Sequence, residues 1–131
     1  MILDTNTYGA LQDAKPELVE LVRLAQIIYL PVNVVAELQA GFVKGTRREQ
    51  NEQIFQQFIS RPGVEIIHTS QQTATYYAEL QALCWRRGRS LSNNDVWIAA
   101  FTQEYDETLV TYDQDFEVFR ELLGDNLIIL R

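Results

Sequence analysis

Cysteine, histidine and positive charge are what this chain has least of, and each shortage narrows what it can be. Its 131 residues include one cysteine and one histidine, so it cannot build a disulfide framework or a zinc site of the usual His/Cys kind. Cys84, flanked by Leu80, Ala82 and Leu83, is expected at a buried helix position as a small core hydrophobe rather than a redox centre. His68 follows an expected strand with no identifiable partner, which favours a structural or incidental role. No apolar run is long enough to span a membrane, and Met1-Ile2-Leu3-Asp4 reaches a charge too soon for a signal peptide, so a cytoplasmic location is expected. Eleven Lys and Arg face eighteen Asp and Glu, a net charge of -7. A general polyanion binder would carry the opposite balance. The few basic residues do cluster. Lys44, Arg47 and Arg48 form one group, and Arg86, Arg87 and Arg89 form another beside Trp85. Each group reads equally as a local nucleic-acid contact or as a solvated helix end.

With 47% of its residues hydrophobic, the chain can bury a core without staples, and one domain over residues 1–131 is expected. Ile2-Leu3 reads as a strand stopped by the turn or helix cap Asp4-Thr5-Asn6. Pro16 starts a helix whose apolar residues, Leu18 to Leu24, recur at helical spacing, and Ile27–Leu30 is a second strand ended by Pro31. Val34, Val35, Leu38 and Phe42 share one stripe of the next helix, with Glu37 on its border. A polar helix from Arg48 to Ser60 is broken at Arg61-Pro62-Gly63 before the strand Val64–Ile67. A helix from Ser70 to Arg87 is expected to make contacts through Ala74, Tyr77, Ala78, Leu80 and Leu83, and Gly88 interrupts it. The helix beginning near Ser92 is nearly all apolar from Val96 to Phe101. Leu109–Tyr112 is a strand, a short helix surrounds Phe116, and Leu127–Leu130 is the last strand. Strands alternating with helices imply an α/β fold, a three-layer α/β/α sandwich around a mostly parallel five-stranded sheet.

Ligands of such sheets gather beyond the carboxyl ends of the strands. Asp4 and Asp113 each follow a strand there, Asp95 lies in the first turn of the apolar helix, and Glu37 flanks the helix after the second strand. Each acid alone has a structural reading: Asp4 and Asp113 as helix caps, Asp95 in the box Ser92-Asn93-Asn94-Asp95, Glu37 as a solvated border residue. Their joint placement at one edge favours an active site. Four carboxylates brought together repel one another, and a divalent cation relieves this. Oxygen ligands suit Mg²⁺ or Mn²⁺ rather than zinc. With histidine scarce, a metal-bound water attacking phosphorus in line is a simpler nucleophile than a ribose 2′-hydroxyl.

The matches Leu3-Asp4-Thr5-Asn6, Glu37-Leu38 with Gly41, Asp95 with Ile98-Ala99-Ala100, and Leu109-Val110-Thr111 with Asp113 and Phe116 run in order along almost the whole chain. In them the sequence resembles the PIN-domain nucleases, most closely the toxin ribonucleases of bacterial VapBC toxin–antitoxin pairs. The resemblance implies that Asp4, Glu37, Asp95 and Asp113 are the catalytic, metal-binding acids, with Asn6 and Thr111 supporting them. Asp115 either joins them or caps the last helix. It also implies a homodimer neutralised by an antitoxin protein. Tyr8, Phe42 and Phe55 would suit such contacts, although each also reads as core. Asn33 departs from the small hydroxyl residue that many relatives carry in this region.

The expected activity is therefore a divalent-metal-dependent endoribonuclease whose cleavage frees a 3′-hydroxyl, with Arg86, Arg87, Arg89, Lys44 and Arg47 as candidate RNA contacts. Trp85 and Trp97 are candidates for stacking on bases, and packing is the better reading for Trp97. The competing readings are a PIN nuclease for RNA maturation or structured DNA outside any toxin pair, and a non-enzymatic interaction module. A phosphoryl-accepting receiver domain would need a lysine near the end of its last strand, where this chain has Leu130-Arg131.

Overall fold

Short apolar strands such as Ile28–Pro31 are stable only when both faces are covered, and helices supply that cover in α/β proteins. The computed structural model, which describes all residues from Met1 to Arg131, has such a sheet. Its strands are β1 (Ile2–Leu3), β2 (Ile28–Pro31), β3 (Val64–Ile67), β4 (Leu109–Thr111) and β5 (Leu127–Ile129). Their order is β3-β2-β1-β4-β5, and every pairing is parallel.

Helices α1 (Thr5–Gln12) and α2 (Pro16–Leu24) join β1 to β2, and α3 (Val32–Lys44) and α4 (Arg48–Ile59) join β2 to β3. Helices α5 (Gln71–Arg86) and α6 (Asn93–Tyr105) lead into β4. A 3₁₀ segment (Gln114–Phe119), α7 (Arg120–Leu123) and a 3₁₀ turn (Gly124–Asn126) lead into β5. Right-handed crossovers put the helices of the leftward and rightward halves on opposite faces, giving three layers. The chain reverses direction across the sheet between β1 and β4, which creates a crevice at their carboxyl ends. Leu3 pairs with Val110, so Asp4 leaves the sheet beside Thr111.

A cluster of 24 buried hydrophobic residues fills both faces of the sheet. Tyr8 belongs to it, edge-on to Phe55 and Phe58 with ring centroids 5.7 and 5.4 Å apart. Phe55 is buried too, and the half-buried Phe42 packs 6.0 Å from it. These rings, considered above as partner contacts, therefore join α1, α3 and α4 to one another.

Of the two readings of Asp4-Thr5-Asn6, turn or cap, the cap holds: Asp4 is the N-cap of α1 and its side chain accepts from the Thr7 N–H. One element departs from expectation. On α5 the expected contacts Ala74 and Ala78 are exposed, while Thr73 is buried with Leu80, Leu83 and Cys84. Thr73 is drawn inward by the capping box it makes with Ser70 and by its bond to Glu104 Oε1 at 2.6 Å. No helix is long and apolar enough to cross a membrane.

Candidate active site

Asp4 is 6% exposed, and a carboxylate so deeply placed needs hydrogen bonds to offset its lost hydration. It has three. Oδ1 accepts from Thr7 N at 2.9 Å and Thr7 Oγ1 at 2.6 Å, and Oδ2 accepts from Thr111 Oγ1 at 2.6 Å. Thr111 Oγ1 in turn accepts from Asp113 N at 3.0 Å. One hydroxyl therefore ties the acid after β1 to the backbone of the acid after β4. Asp113 Oδ1 accepts from Asp115 N at 2.9 Å, capping the 3₁₀ segment.

Asp95 is placed by α6. Ser92 caps that helix by accepting from Asp95 N at 3.2 Å, which turns the carboxyl into the crevice in the first turn. Burial pushes the Asp95 carboxyl above its ordinary value. The bond with Ser92 opposes this, and the charges of Asp113, Asp4 and Glu37 add to the rise. The acids of four separate elements thus share one electrostatic neighbourhood. Glu37 reaches it from the exposed border of α3 and makes no hydrogen bond.

As the side chains stand, no three Asp, Glu, His or Cys groups close around a point where an ion would be held. Asp4 is fixed by its three donors and Asp113 Oδ1 is held by its own cap, so closure would depend on the unbonded Glu37 and on Asp113 leaving that cap. The chemistry of the set nevertheless fits a hard cation, because every donor is an oxygen and the charges are otherwise uncompensated. Two buried oxygens without partners flank the acids: Thr5 Oγ1, next to Asp4, and Asn33 Oδ1, one helical turn before Glu37. Asn33 also donates from Nδ2 to Asn94 O at 3.3 Å, joining the helix of Glu37 to the first turn of Asp95.

The residues expected to support the acids lie differently. Thr111 bonds Asp4. Asn6 is exposed and makes no bond to any acid, because it points outward from the first turn of α1, and Thr7 one position on takes that part. Thr7 was not singled out in the sequence. Its signal was local: a cap residue with a hydroxyl residue three places on, the spacing of a capping box. Asp115 is exposed, donates its backbone N–H to the Asp113 cap and lies 3.6 Å from Arg89.

Among the basic candidates, Arg87 pairs with Glu121 at 2.6 Å, Arg89 with Asp115, and Arg86 with nothing. Lys44 and Arg47 lie at the α3–α4 turn, with Lys44 about 10 Å along the helix from Glu37. They make no ion pair. Trp97 is half-buried against Tyr77, centroids 4.4 Å apart, whereas Trp85 is 74% exposed. His68 is exposed and has no side-chain hydrogen bond.

Comparison with known proteins gives the family and the fold. The family model described as the PIN domain matches residues 1–122. Ribonuclease VapC2 of Rickettsia felis is 34% identical over 108 residues, covering 82% of this chain and 79% of that protein. The crystal structure of VapBC2 from Rickettsia felis, bound to a DNA fragment from its promoter, superposes with a TM-score of 0.80 at 30% identity, covering 98% and 96% of the two chains. VapBC-1 of nontypeable Haemophilus influenzae has the same fold, with a TM-score of 0.79 at 24% identity over 92% of each chain.

Proposed function

Because the chain belongs to the PIN-domain family, we propose that it is a divalent-metal-dependent endoribonuclease, the toxin of a type II toxin–antitoxin pair. Asp4, Glu37, Asp95 and Asp113 are its catalytic and metal-holding acids in this reading. The observation that carries it is the meeting of Asp4 and Asp113 beyond the ends of neighbouring strands, joined through Thr111 Oγ1 at the reversal point of the sheet. The ribonuclease relative, and the antitoxin complexes in which its structural relatives were solved, supply the substrate class and the partner. RNA is the substrate, an antitoxin protein the partner, and a homodimer the assembly.

The acids have different tasks. Asp4, immobilised by two threonine hydroxyls and a backbone N–H, is the fixed anchor. Asp95 is oriented by the Ser92 cap, Asp113 is held through Oδ1 by the N–H of Asp115, and the exposed Glu37 is free to adjust. A bound Mg²⁺ or Mn²⁺ supplies positive charge at the phosphate and a more acidic water. The carboxylates align that ion and exclude other anions. Water adds to phosphorus as the bond to the ribose O3′ breaks, leaving a 3′-hydroxyl and a 5′-phosphate.

Incubation of the partner-free protein with a panel of RNAs in Mg²⁺, Mn²⁺ or EDTA, beside Asp95→Asn, tests the proposal. Cleavage by the wild type alone, and only with a divalent ion, is expected. Equal cutting by the variant, or none by the wild type, overturns it.

A further inference from the structure

Helix α5 ends in a turn that the site described above does not use. Arg89 N donates to Cys84 O at 2.9 Å and Gly88 N to Trp85 O at 3.2 Å, the paired bonds of a Schellman stop, with Gly88 at φ +61°. This backbone lock sets Trp85, Arg86, Arg87 and Arg89 around a single turn, and all four are exposed. Trp85, at 74%, is the most exposed large hydrophobic side chain in the protein. Three of the eleven basic residues of a chain with net charge -7 fall within these few positions.

The turn lies beside the acids. Arg89 is 3.6 Å from Asp115, whose N–H bonds Asp113 at 2.9 Å. A groove of about 560 Å³, lined by Arg87, Arg89, Arg120 and Gln114 and also by Glu117 and Glu121, lies between the turn and the 3₁₀ segment. Arg86 has no ion pair. The pairs of Arg87 and Arg89 are exposed on both sides, and such pairs contribute little and exchange readily for another anion.

We propose that the turn Trp85–Arg89 is a grip for single-stranded RNA, Trp85 stacking on an unpaired base and Arg86, Arg87 and Arg89 taking the adjoining phosphates. This rests on the ribonuclease reading and adds where the strand runs. A tryptophan that anchors a protein partner is expected among apolar residues, whereas the other exposed side chains carried by this turn are arginines. An aromatic face among cations is the composition that single strands select. The grip also answers the charge problem, since an acidic protein holds a polyanion only through a local concentration of cations.

Anisotropy of a labelled ten-nucleotide single-stranded RNA, measured in EDTA so that it stays intact, tests the grip. Trp85→Ala is expected to weaken binding about tenfold, Trp85→Phe to retain most of it, and binding to duplex RNA to change far less. Arg86→Gln is expected to lower the slope of log affinity against log salt by about 0.7, one phosphate contact. Circular dichroism and sedimentation accompany each variant. If Trp85→Ala and Arg86→Gln bind the RNA as the wild type does, the grip is wrong, and a change in self-association or antitoxin binding instead would make the turn a protein interface. A wild type that cuts RNA with Mn²⁺ while these variants bind normally refutes the grip alone. A wild type that neither binds nor cuts any RNA removes the ribonuclease reading and the grip with it.

Discussion

A hydroxyl has one proton, and Thr7 Oγ1 faces two acceptors, Asp4 Oδ1 at 2.6 Å and Val110 O at 2.9 Å. Thr7→Val keeps the shape and removes both contacts. It should lower stability by about 1–3 kcal/mol and reduce cleavage, whereas Thr7→Ser should recover most of each; denaturant melts beside RNA-cleavage rates check this. The only sign of Thr7 in the sequence is its capping-box spacing from Asp4, which points to a helix start and not to a support for the acid. Asp4 was legible because it directly follows a strand. Asn6 was chosen by resemblance, yet the first turn of α1 points it to solvent. Asp95 carries a second expectation. Its carboxyl pKa lies above the ordinary 3.8 because of burial and then of neighbouring charge. Below the ordinary value the group is protonated in both folded and unfolded chains and costs nothing. As pH rises, the unfolded chain ionises first, so stability falls until the folded carboxyl ionises as well, and the full cost persists at neutral pH. Asp95→Asn should therefore melt above the wild type at pH 7 in EDTA, with the gap closing as pH drops below the carboxylate range. A variant that melts lower at every pH would show that the carboxylate stabilises the fold.

Helices were easiest to foresee where capping and apolar spacing agreed. The Ser92 cap and the apolar run after it placed α6, and with it Asp95. Helix α1 was harder, since Thr5-Asn6-Thr7-Tyr8-Gly9 contains no strong helix former. The Asp4 cap and the packing of Tyr8 on Phe55 and Phe58 hold it in place. The extent of helix α5 and the burial of Leu80 and Leu83 follow from the sequence, but Ala74 and Ala78 face solvent, because regularly spaced alanines fit an exposed stripe as well as a buried one. Only its packing against α6 decides between them. Two substitutions test what ends and begins these elements. Ser92→Ala removes the α6 cap and should cost about 1 kcal/mol, with Asp95 becoming still harder to ionise as its Ser92 bond is lost. Gly88→Ala meets no atom within 4 Å but keeps φ at +61°. Its cost should therefore be backbone strain alone, about 1 kcal/mol, with Asn in its place costing less. Thermal melts of the two variants separate a lost cap from a strained turn.

At the scale of the molecule, strand–helix alternation disclosed the layered parallel sheet, but distances between acids depend on strand register, which a sequence does not print. Register sets Leu3 against Val110 and so brings Asp4 to Thr111; it leaves Glu37 exposed on the rim. The folded chain therefore keeps a set of mutually repelling carboxylates that nothing in the protein neutralises, within a net charge of -7. A ligand that binds only the folded state raises its stability by RT ln(1 + [L]/Kd), about 2.7 kcal/mol at a hundredfold excess over Kd. Mn²⁺ or Mg²⁺ should accordingly raise the melting temperature of the partner-free protein in a saturable way, with Mn²⁺ and Mg²⁺ competing for the same gain, while sodium chloride of equal ionic strength gives a smaller shift by screening alone. Asp95→Asn should lose most of the divalent shift despite starting from a higher melting point in EDTA. That opposition separates a cation site from general screening, because screening would move both proteins alike. Equal shifts in the wild type and the variant would mean that the ion binds elsewhere.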